Sequence, residues 1–406
     1  MKATEGRFAF ISGGLAFGGS TTFLLNLGSG LARLGCEVKI WCMESDSPFA
    51  DDFERRNLPI SWIGRRGCIY EKRIRSCLRE LAGFQPAVLV ANIGPEAFEV
   101  FRYARGPVTK VGIIHSDDPG VYRSLTPYFR LADYVVGVSA EICRHLREEA
   151  MVAPGRVRLI NYGIEIPQLA DRPPRDPECL RVLYLGRLDR LQKRVRLLEP
   201  IALHLRDQGR NFRLTIIGDG PERSWLERTI RKNGLGRWVE LRHAVPYCEV
   251  PEIYPMFDVL LLPSAFEGLP LTLLESMAAG VVPVVTRLRS GSEELIDSSN
   301  GILVDVEDIA GYADAIDWLA RDRRLLEQLS ENAHRTINQR YSASTMAEQW
   351  LAFCGEAGYT SFDVSKILPP IGSEGSFPFT PIGRLLRRAK AVVQRLQFNA
   401  SWKSGA

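Results

Sequence analysis

Short apolar runs alternate with stretches of helical period along most of the chain. The runs at 7–12, 37–43, 59–64, 87–93, 109–115, 134–139 and 157–161 are rich in Val, Ile and aromatic residues, and successive positions are apolar. A strand covered on both faces reads this way, so the runs predict a parallel sheet between two helical layers. Stretches at 22–33 and 72–81 repeat apolar residues at helical spacing and supply those layers. The expectation is a doubly wound α/β domain.

The pattern breaks at 167–177 (PQLADRPPRDP), where four of eleven residues are proline. Proline suppresses both helix and ladder, which places a domain boundary here. A second strand series follows at 181–185, 212–217, 239–244, 259–263, 282–286 and 302–304, with the clearest helical patterns at 270–279 and 309–320. Two long helical stretches, 324–339 and 343–354, are expected to close the second domain. The predicted organisation is a first Rossmann-like domain at 1–166 and a linker at 167–178. A second Rossmann-like domain spans 179–340, a closing helix 341–360, and a linker with a basic tail 361–406. Ligands of such sheets bind beyond the carboxyl ends of the strands, so two of them face to face predict a site in the cleft between them.

Composition narrows the class. The 406 residues are 45% hydrophobic and 25% charged, which excludes a disordered, collagenous or coiled-coil chain. A net charge of +4 is too small to imply nucleic-acid binding by the body of the chain. From Thr380 onward there are six basic residues and no acid. There Ile382, Leu385, Leu386, Ala389, Val392, Val393 and Leu396 form an apolar stripe, with Arg384, Arg387, Arg388, Lys390 and Arg395 around it. A helix over 382–398 of this kind fits peripheral contact with an anionic membrane. It also fits a helix docked on the protein's own surface or a solubilising end. No apolar run approaches the ~20 residues of a membrane span, and Gly13, Gly14, Gly18 and Gly19 fall where an export signal would carry its apolar core. We therefore expect a cytoplasmic protein. Eight scattered cysteines without a C-x-x-C pair are expected to be buried thiols.

The motifs lie just after strands. Gly13-Gly14 and Gly18-Gly19 open a helix, as a tight turn or as an anion-binding loop; the spacing is not the G-x-G-x-x-G of dinucleotide sites. Glu44, ending the next strand, would be the ribose ligand of such a site. Arg187 and Lys193 share one strand-to-helix loop and form either a solvated basic loop or a grip on a diphosphate. Gly218-Asp219-Gly220 ends another strand. Glu267-Gly268-Leu269-Pro270 precedes a helix that carries Glu275, giving two carboxylates suited to sugar or ribose hydroxyls near a helix N-terminus. No Ser/His/Asp or Cys/His set stands out, and the histidines show no metal spacing.

Together Gly186-Arg187, Lys193, Gly218-Asp219-Gly220-Pro221, and the run from Glu267 to Glu275 with the Ser-Met-Ala-Ala-Gly that follows it resemble the retaining glycosyltransferases of family 4, of GT-B fold. Glu293 and the segment from Asn300 to Val304 extend the resemblance. Gly18-Gly19, His115, Ser139 and Asn161-Tyr162-Gly163-Ile164 match more loosely.

The resemblance implies two Rossmann-like domains across a cleft, the first on the acceptor side and the second binding the nucleotide-sugar donor, and metal-independent, retaining transfer of a sugar from a UDP- or GDP-sugar. The acceptor would be a glycan or lipid-linked acceptor in cell-envelope polysaccharide synthesis, with the nucleotide-sugar as co-substrate, no cofactor and no metal. It implies that Arg187 and Lys193 neutralise the donor diphosphate, Glu267 binds sugar hydroxyls with backbone help from Gly268 and Leu269, and Glu275 binds the ribose. Gly18, Gly19, Gly218, Asp219, Gly220 and Ala244 would line the donor, and His115 would contact the sugar. The alternatives are a nucleotide-sugar epimerase of the same fold, an NAD-dependent oxidoreductase built on Gly13–Gly19 and Glu44, and a catalytically silent nucleotide-sugar-binding scaffold.

Overall fold

The computed structural model describes residues 6–16, 18–64, 70–105, 108–166, 174–354 and 361–362. The first part holds β1 (Arg7–Ser12), β2 (Glu37–Cys42), β3 (Ile60–Trp62), β4 (Val88–Ile93), the two-residue β5 (Ala104–Arg105), β6 (Thr109–Ile114), β7 (Tyr134–Gly137) and β8 (Val157–Leu159). Seven of these form a parallel sheet in the order β3-β2-β1-β4-β6-β7-β8. The second part holds β9 (Leu180–Leu185), β10 (Phe212–Ile217), β11 (Val239–Arg242), β12 (Val259–Leu262), β13 (Val282–Thr286) and β14 (Ile302–Val304), parallel in the order β11-β10-β9-β12-β13-β14. Each sheet therefore reverses its winding once, between β1 and β4 and between β9 and β12. Loops leaving the carboxyl ends there make the crevice in which ligands bind.

The core is what the runs predict. Residues Phe8 to Ile11 of β1 and Val259 to Leu261 of β12 are fully buried, with helices on both faces. One assignment is corrected. Helix Arg323–Arg340 stays on the second domain, where His334 Nδ1 meets the Ala278 carbonyl at 2.6 Å. Helix Ala343–Phe353 instead returns to the first domain. Its Trp350 lies 6.3 Å from Phe23, and Phe353 lies 4.9 Å from Tyr134. Bare backbone makes room for it: a Cβ on Gly30 would stand 2.8 Å from the Ala347 Cβ. At the return, Ile164 N donates to Tyr341 O (2.9 Å) and Ala343 N donates to Ile164 O (2.8 Å).

Within the stretch expected to be linker and tail, β15 (Ser361–Phe362) pairs antiparallel with β5. The stripe at 382–398 lies outside the described residues, as does Cys68. Among the described cysteines Cys36, Cys42, Cys77, Cys143 and Cys354 are buried, but Cys179 is half-buried and Cys248 exposed, against the expectation for all eight. No helix among the described residues is long and apolar enough to cross a membrane.

Candidate active site

The loop after β9 is folded by one carboxylate. Asp189 Oδ1 accepts from the backbone N–H of Gln192 (2.7 Å) and of Lys193 (3.2 Å). This turns Lys193 toward the loop after β12, where its Nζ lies 2.6 Å from Glu267 Oε1. The two side chains are 16% and 8% exposed, so this is a nearly desolvated ion pair. Arg187 goes the other way. Its Nε bonds Asp189 Oδ2 (2.9 Å), its Nη2 bonds Gln192 Oε1 (2.8 Å), and its side chain is 61% exposed. The two cations thus share a loop without converging on one point, because Asp189 and Glu267 each hold one of them.

The glycines divide by what stands next to them. Gly218 and Gly220 both have φ 155°, and a Cβ there would lie 1.9 Å from Gly186 O and 2.4 Å from Leu188 O. Their bare backbone serves the contact between the loops after β9 and β10. A Cβ on Gly268 would lie 2.3 Å from the His115 carbonyl of the opposite domain. Chain neighbours aside, Gly18, at φ 154°, has no atom of the described residues within 4 Å of such a Cβ, and a Cβ on Gly19 would lie 3.5 Å from Leu271 Cδ1 across the cleft. Among these site glycines Gly18 therefore leaves room for a ligand. The Glu44 carboxylate lies 2.8 Å from where a Cβ on Gly14 would stand.

Glu275 sits on helix Leu271–Ala278 behind this loop. Its Oε2 accepts from Tyr254 OH (2.8 Å) and its Oε1 from Tyr247 OH (3.3 Å). Burial pushes the carboxyl up to about 7, although both phenols favour its charged form. Asp219 accepts from the Ala244 N–H (2.9 Å) and bonds His243 Nδ1 (2.9 Å), holding the loop after β11 at the end of β10.

His115, at the end of β6, is braced on both ring nitrogens. Nδ1 lies 2.7 Å from Tyr162 OH and Nε2 lies 2.9 Å from Asn92 Oδ1. Asn92 is 1% exposed, and its Nδ2 donates to Ser12 Oγ (3.3 Å) and the Ser20 carbonyl (3.4 Å). The amide oxygen is thus left as acceptor, so Nε2 carries the proton and Nδ1 accepts from Tyr162. Burial lowers the imidazole to about 4, fixing it neutral. A sugar could hydrogen-bond the ring nitrogens only by replacing Asn92 or Tyr162. Sequence reasoning missed Asn92; its signal is a buried amide ending an apolar strand at the switch point.

A second cluster was missed because one of its members, Asp117, comes from another element. Asp117 Oδ1 lies 2.5 Å from His145 Nδ1 and accepts from Tyr122 OH (2.9 Å). With Glu141, their ligand atoms lie within 4.8 Å of one another, a set of the kind that holds a metal ion. The loop after β6 brings Asp117 against helix Ala140–Glu148, on which Glu141 and His145 stand one turn apart.

Two parallel Rossmann-like sheets with their switch points across one cleft define a GT-B glycosyltransferase fold. Comparison with known proteins agrees. The sequence model described as "Glycosyltransferase Family 4" matches residues 17–167, and that described as "Glycosyl transferases group 1" matches residues 167–336. The chain belongs to this family of glycosyltransferases.

Among curated relatives, the alpha-D-kanosaminyltransferase of Streptomyces kanamyceticus is 32% identical over 44% of this chain and 46% of its own length. An alpha-1,4-N-acetyl-D-galactosaminyltransferase of Campylobacter jejuni, named for a diphosphate-undecaprenol-linked substrate, is 31% identical over 43% of this chain and 48% of its own. The chain thus spans about half the length of these relatives. Among solved structures, HepE of Anabaena in complex with UDP and glucose superposes with a TM-score of 0.72 at 17% identity, covering 85% of this chain and 98% of that one. That likeness concerns the fold.

Proposed function

We propose that the protein is a retaining, metal-independent glycosyltransferase that moves a sugar from a UDP- or GDP-sugar to a hydroxyl of a glycan or lipid-linked acceptor. The observation that carries the reading is the Lys193–Glu267 pair, set on the glycine loop that meets the His115 carbonyl across the cleft. In this reading the anomeric carbon exchanges its bond to the diphosphate oxygen for one to the acceptor oxygen, and the acceptor hydroxyl's proton leaves with the departing diphosphate. Lys193, with Arg187 swung in from Asp189, neutralises the charge growing on the diphosphate, the largest kind of contribution to such a transfer. Glu267 accepts from sugar hydroxyls, aided by the backbone of Gly268 and Leu269. Glu275 accepts from the ribose, and Ala244 with the Gly218–Gly220 loop borders the base. Gly18 and Gly19 close over the donor from the first domain.

His115 presents its carbonyl at the loop, while its braced neutral ring keeps that carbonyl in place. No epimerase acid–base pair is needed, and the bracing of His115 gives none. Support for a lipid-linked acceptor comes from the name of the Campylobacter relative, and support for cell-envelope polysaccharide synthesis from a putative colanic acid biosynthesis glycosyltransferase of Escherichia coli, 28% identical over 58% of this chain. On this reading the enzyme works in the cytoplasm, and the basic stripe at 382–398 lies on the anionic inner face of the membrane.

The test is release of nucleotide diphosphate from a panel of UDP- and GDP-sugars with acceptor pools, followed by proton NMR of the product anomer. Acceptor-dependent release with retained configuration is expected. An inverted product overturns the retaining assignment, and no release from any donor overturns the whole reading.

A further inference from the structure

Glu294 belongs to none of the groups above, yet it makes a charged contact between the two domains. Its Oε1 accepts from the Ala140 N–H (2.7 Å) and from the Glu141 N–H (3.3 Å). Those donors are the first two of helix Ala140–Glu148 in the first domain, and Glu294 stands on the short helix Gly291–Leu295 of the second. The helix already has a local cap, since Ser139 Oγ accepts from the Ile142 N–H (3.3 Å). Glu294 satisfies donors that Ser139 does not reach, and its charge meets the positive end of the helix dipole.

The same two units touch a second time, at the donor loop. Gly291 N donates to Gly268 O (2.7 Å), and a Cβ on Gly291 would lie 2.7 Å from Leu269 Cδ1. Helix Gly291–Leu295 and the Gly268–Leu269 turn are therefore one packed piece. Opposite them a Cβ on Gly268 would come within 2.3 Å of the His115 carbonyl and 3.2 Å of Ile142 Cδ1, and Ile142 lies in the first turn of the helix that Glu294 caps. One rigid piece of the second domain thus meets one rigid piece of the first at two points: a bare glycine at the proposed reaction centre, and a carboxylate clasp beside it.

We propose that Glu294 is a positioning residue. By capping the opposing helix it holds the two domains closed and sets the Glu267–Gly268 turn in register with His115. The proposal rests on the transfer reading above for its effect on turnover, but not for its effect on closure. Glu294 contacts none of the groups assigned to the nucleotide, so its loss should leave nucleotide affinity unchanged while weakening the closed state.

The backbone partner can be removed as cleanly as the carboxylate. Ala140 is the first helical residue, where proline is tolerated, and Ser139 before it has φ −144° and ψ 161°, as a residue preceding proline prefers. Ala140→Pro deletes the shorter of the two bonds and leaves the helix start otherwise intact. Glu294→Ala deletes both, and Glu294→Gln keeps a neutral acceptor oxygen.

Small-angle scattering of the full-length protein reads closure without reference to activity. Glu294→Ala and Ala140→Pro should each raise the radius of gyration, and the double variant should be no larger than the greater of the two. With an active donor and acceptor, Glu294→Ala should lower kcat by about tenfold, the scale of one charge-assisted cap, with the nucleotide diphosphate Kd unchanged. Glu294→Gln should recover part of that loss. Unchanged scattering in Glu294→Ala, or additive effects in the double variant, overturns the clasp. If the scattering result holds while no donor gives transfer, the clasp stands and the transferase reading falls.

Discussion

Lys193 Nζ lies 2.6 Å from Glu267 Oε1, so one ion pair joins the group proposed for the leaving diphosphate to the group proposed for the sugar hydroxyls. Each neutralises the other where water is largely excluded. Removing one partner leaves a lone charge in a poorly solvated place, which costs more than the pair itself contributes. Lys193→Ala should therefore raise the transfer barrier by about 2–4 kcal/mol and also lower the denaturation midpoint. The double variant with Glu267→Ala should lose less stability than the two single losses added together. Turnover within threefold of wild type in Lys193→Ala removes the diphosphate assignment.

Glu275 gives a pH dependence. Its carboxyl is raised to about 7, so near neutrality the folded protein holds a proton there that the unfolded chain has released. The stability this adds is fully present below the ordinary carboxylate value of 4.5 and is lost as pH rises through about 7. Ribose hydroxyls need the ionised form as acceptor, so nucleotide diphosphate should bind more tightly as pH rises from 6 to 8. Titration calorimetry should show this rise in wild type and a flatter profile in Glu275→Gln; the variant carries the same phosphate ionisation, which serves as control. Parallel profiles would separate Glu275 from the ribose.

His115 has the opposite sign. With its imidazole lowered to about 4, the folded state favours the neutral ring. The stability this contributes is present above the ordinary histidine value of 6.5 and is lost as pH falls toward 4. Between pH 6.5 and 4.5 the denaturation midpoint of wild type should fall more steeply than that of His115→Gln. Equal slopes would mean that burial does not hold the ring neutral.

Chelation tests the charge assignment and the second cluster at once. If Lys193 and Arg187 supply the positive charge, transfer should survive excess EDTA. Complete loss restored by magnesium or manganese would require a metal, and Asp117→Asn would then show whether the Asp117–Glu141–His145 set holds it.

For the tail, full-length protein should pellet with anionic vesicles at low salt, and a chain ending after Phe362 should not, while keeping its fold. Equal pelleting would remove the membrane assignment of residues 382–398.

Much of this was legible in the residues because it is local. A run such as Val259–Leu262, apolar at every position, fits a strand between two helical layers, and Glu267 and Glu275 fall on a loop and the helix after it whatever surrounds them. The rest depends on what comes near in three dimensions. Periodicity shows which face of helix Ala343–Phe353 is buried, but not that the face belongs against Phe23 and Gly30 of the other domain. Arg187 and Lys193 look equivalent along the chain; Asp189 and Glu267 part them. Asn92, Glu294 and the Asp117–His145 contact join positions far apart in sequence, and no spacing rule reaches across such gaps.

The return of the chain at Ile164 also limits how the molecule can move. The segments leaving and re-entering the first domain lie side by side, bonded through Ile164 to Tyr341 and Ala343. A single crossing would act as a ball joint, with three rotations open to it. Two crossings riveted together behave as a door hinge and leave one axis. The arc swept by Glu267 as it opens away from His115 is then nearly fixed, and a substrate meets the same mouth each time the door swings.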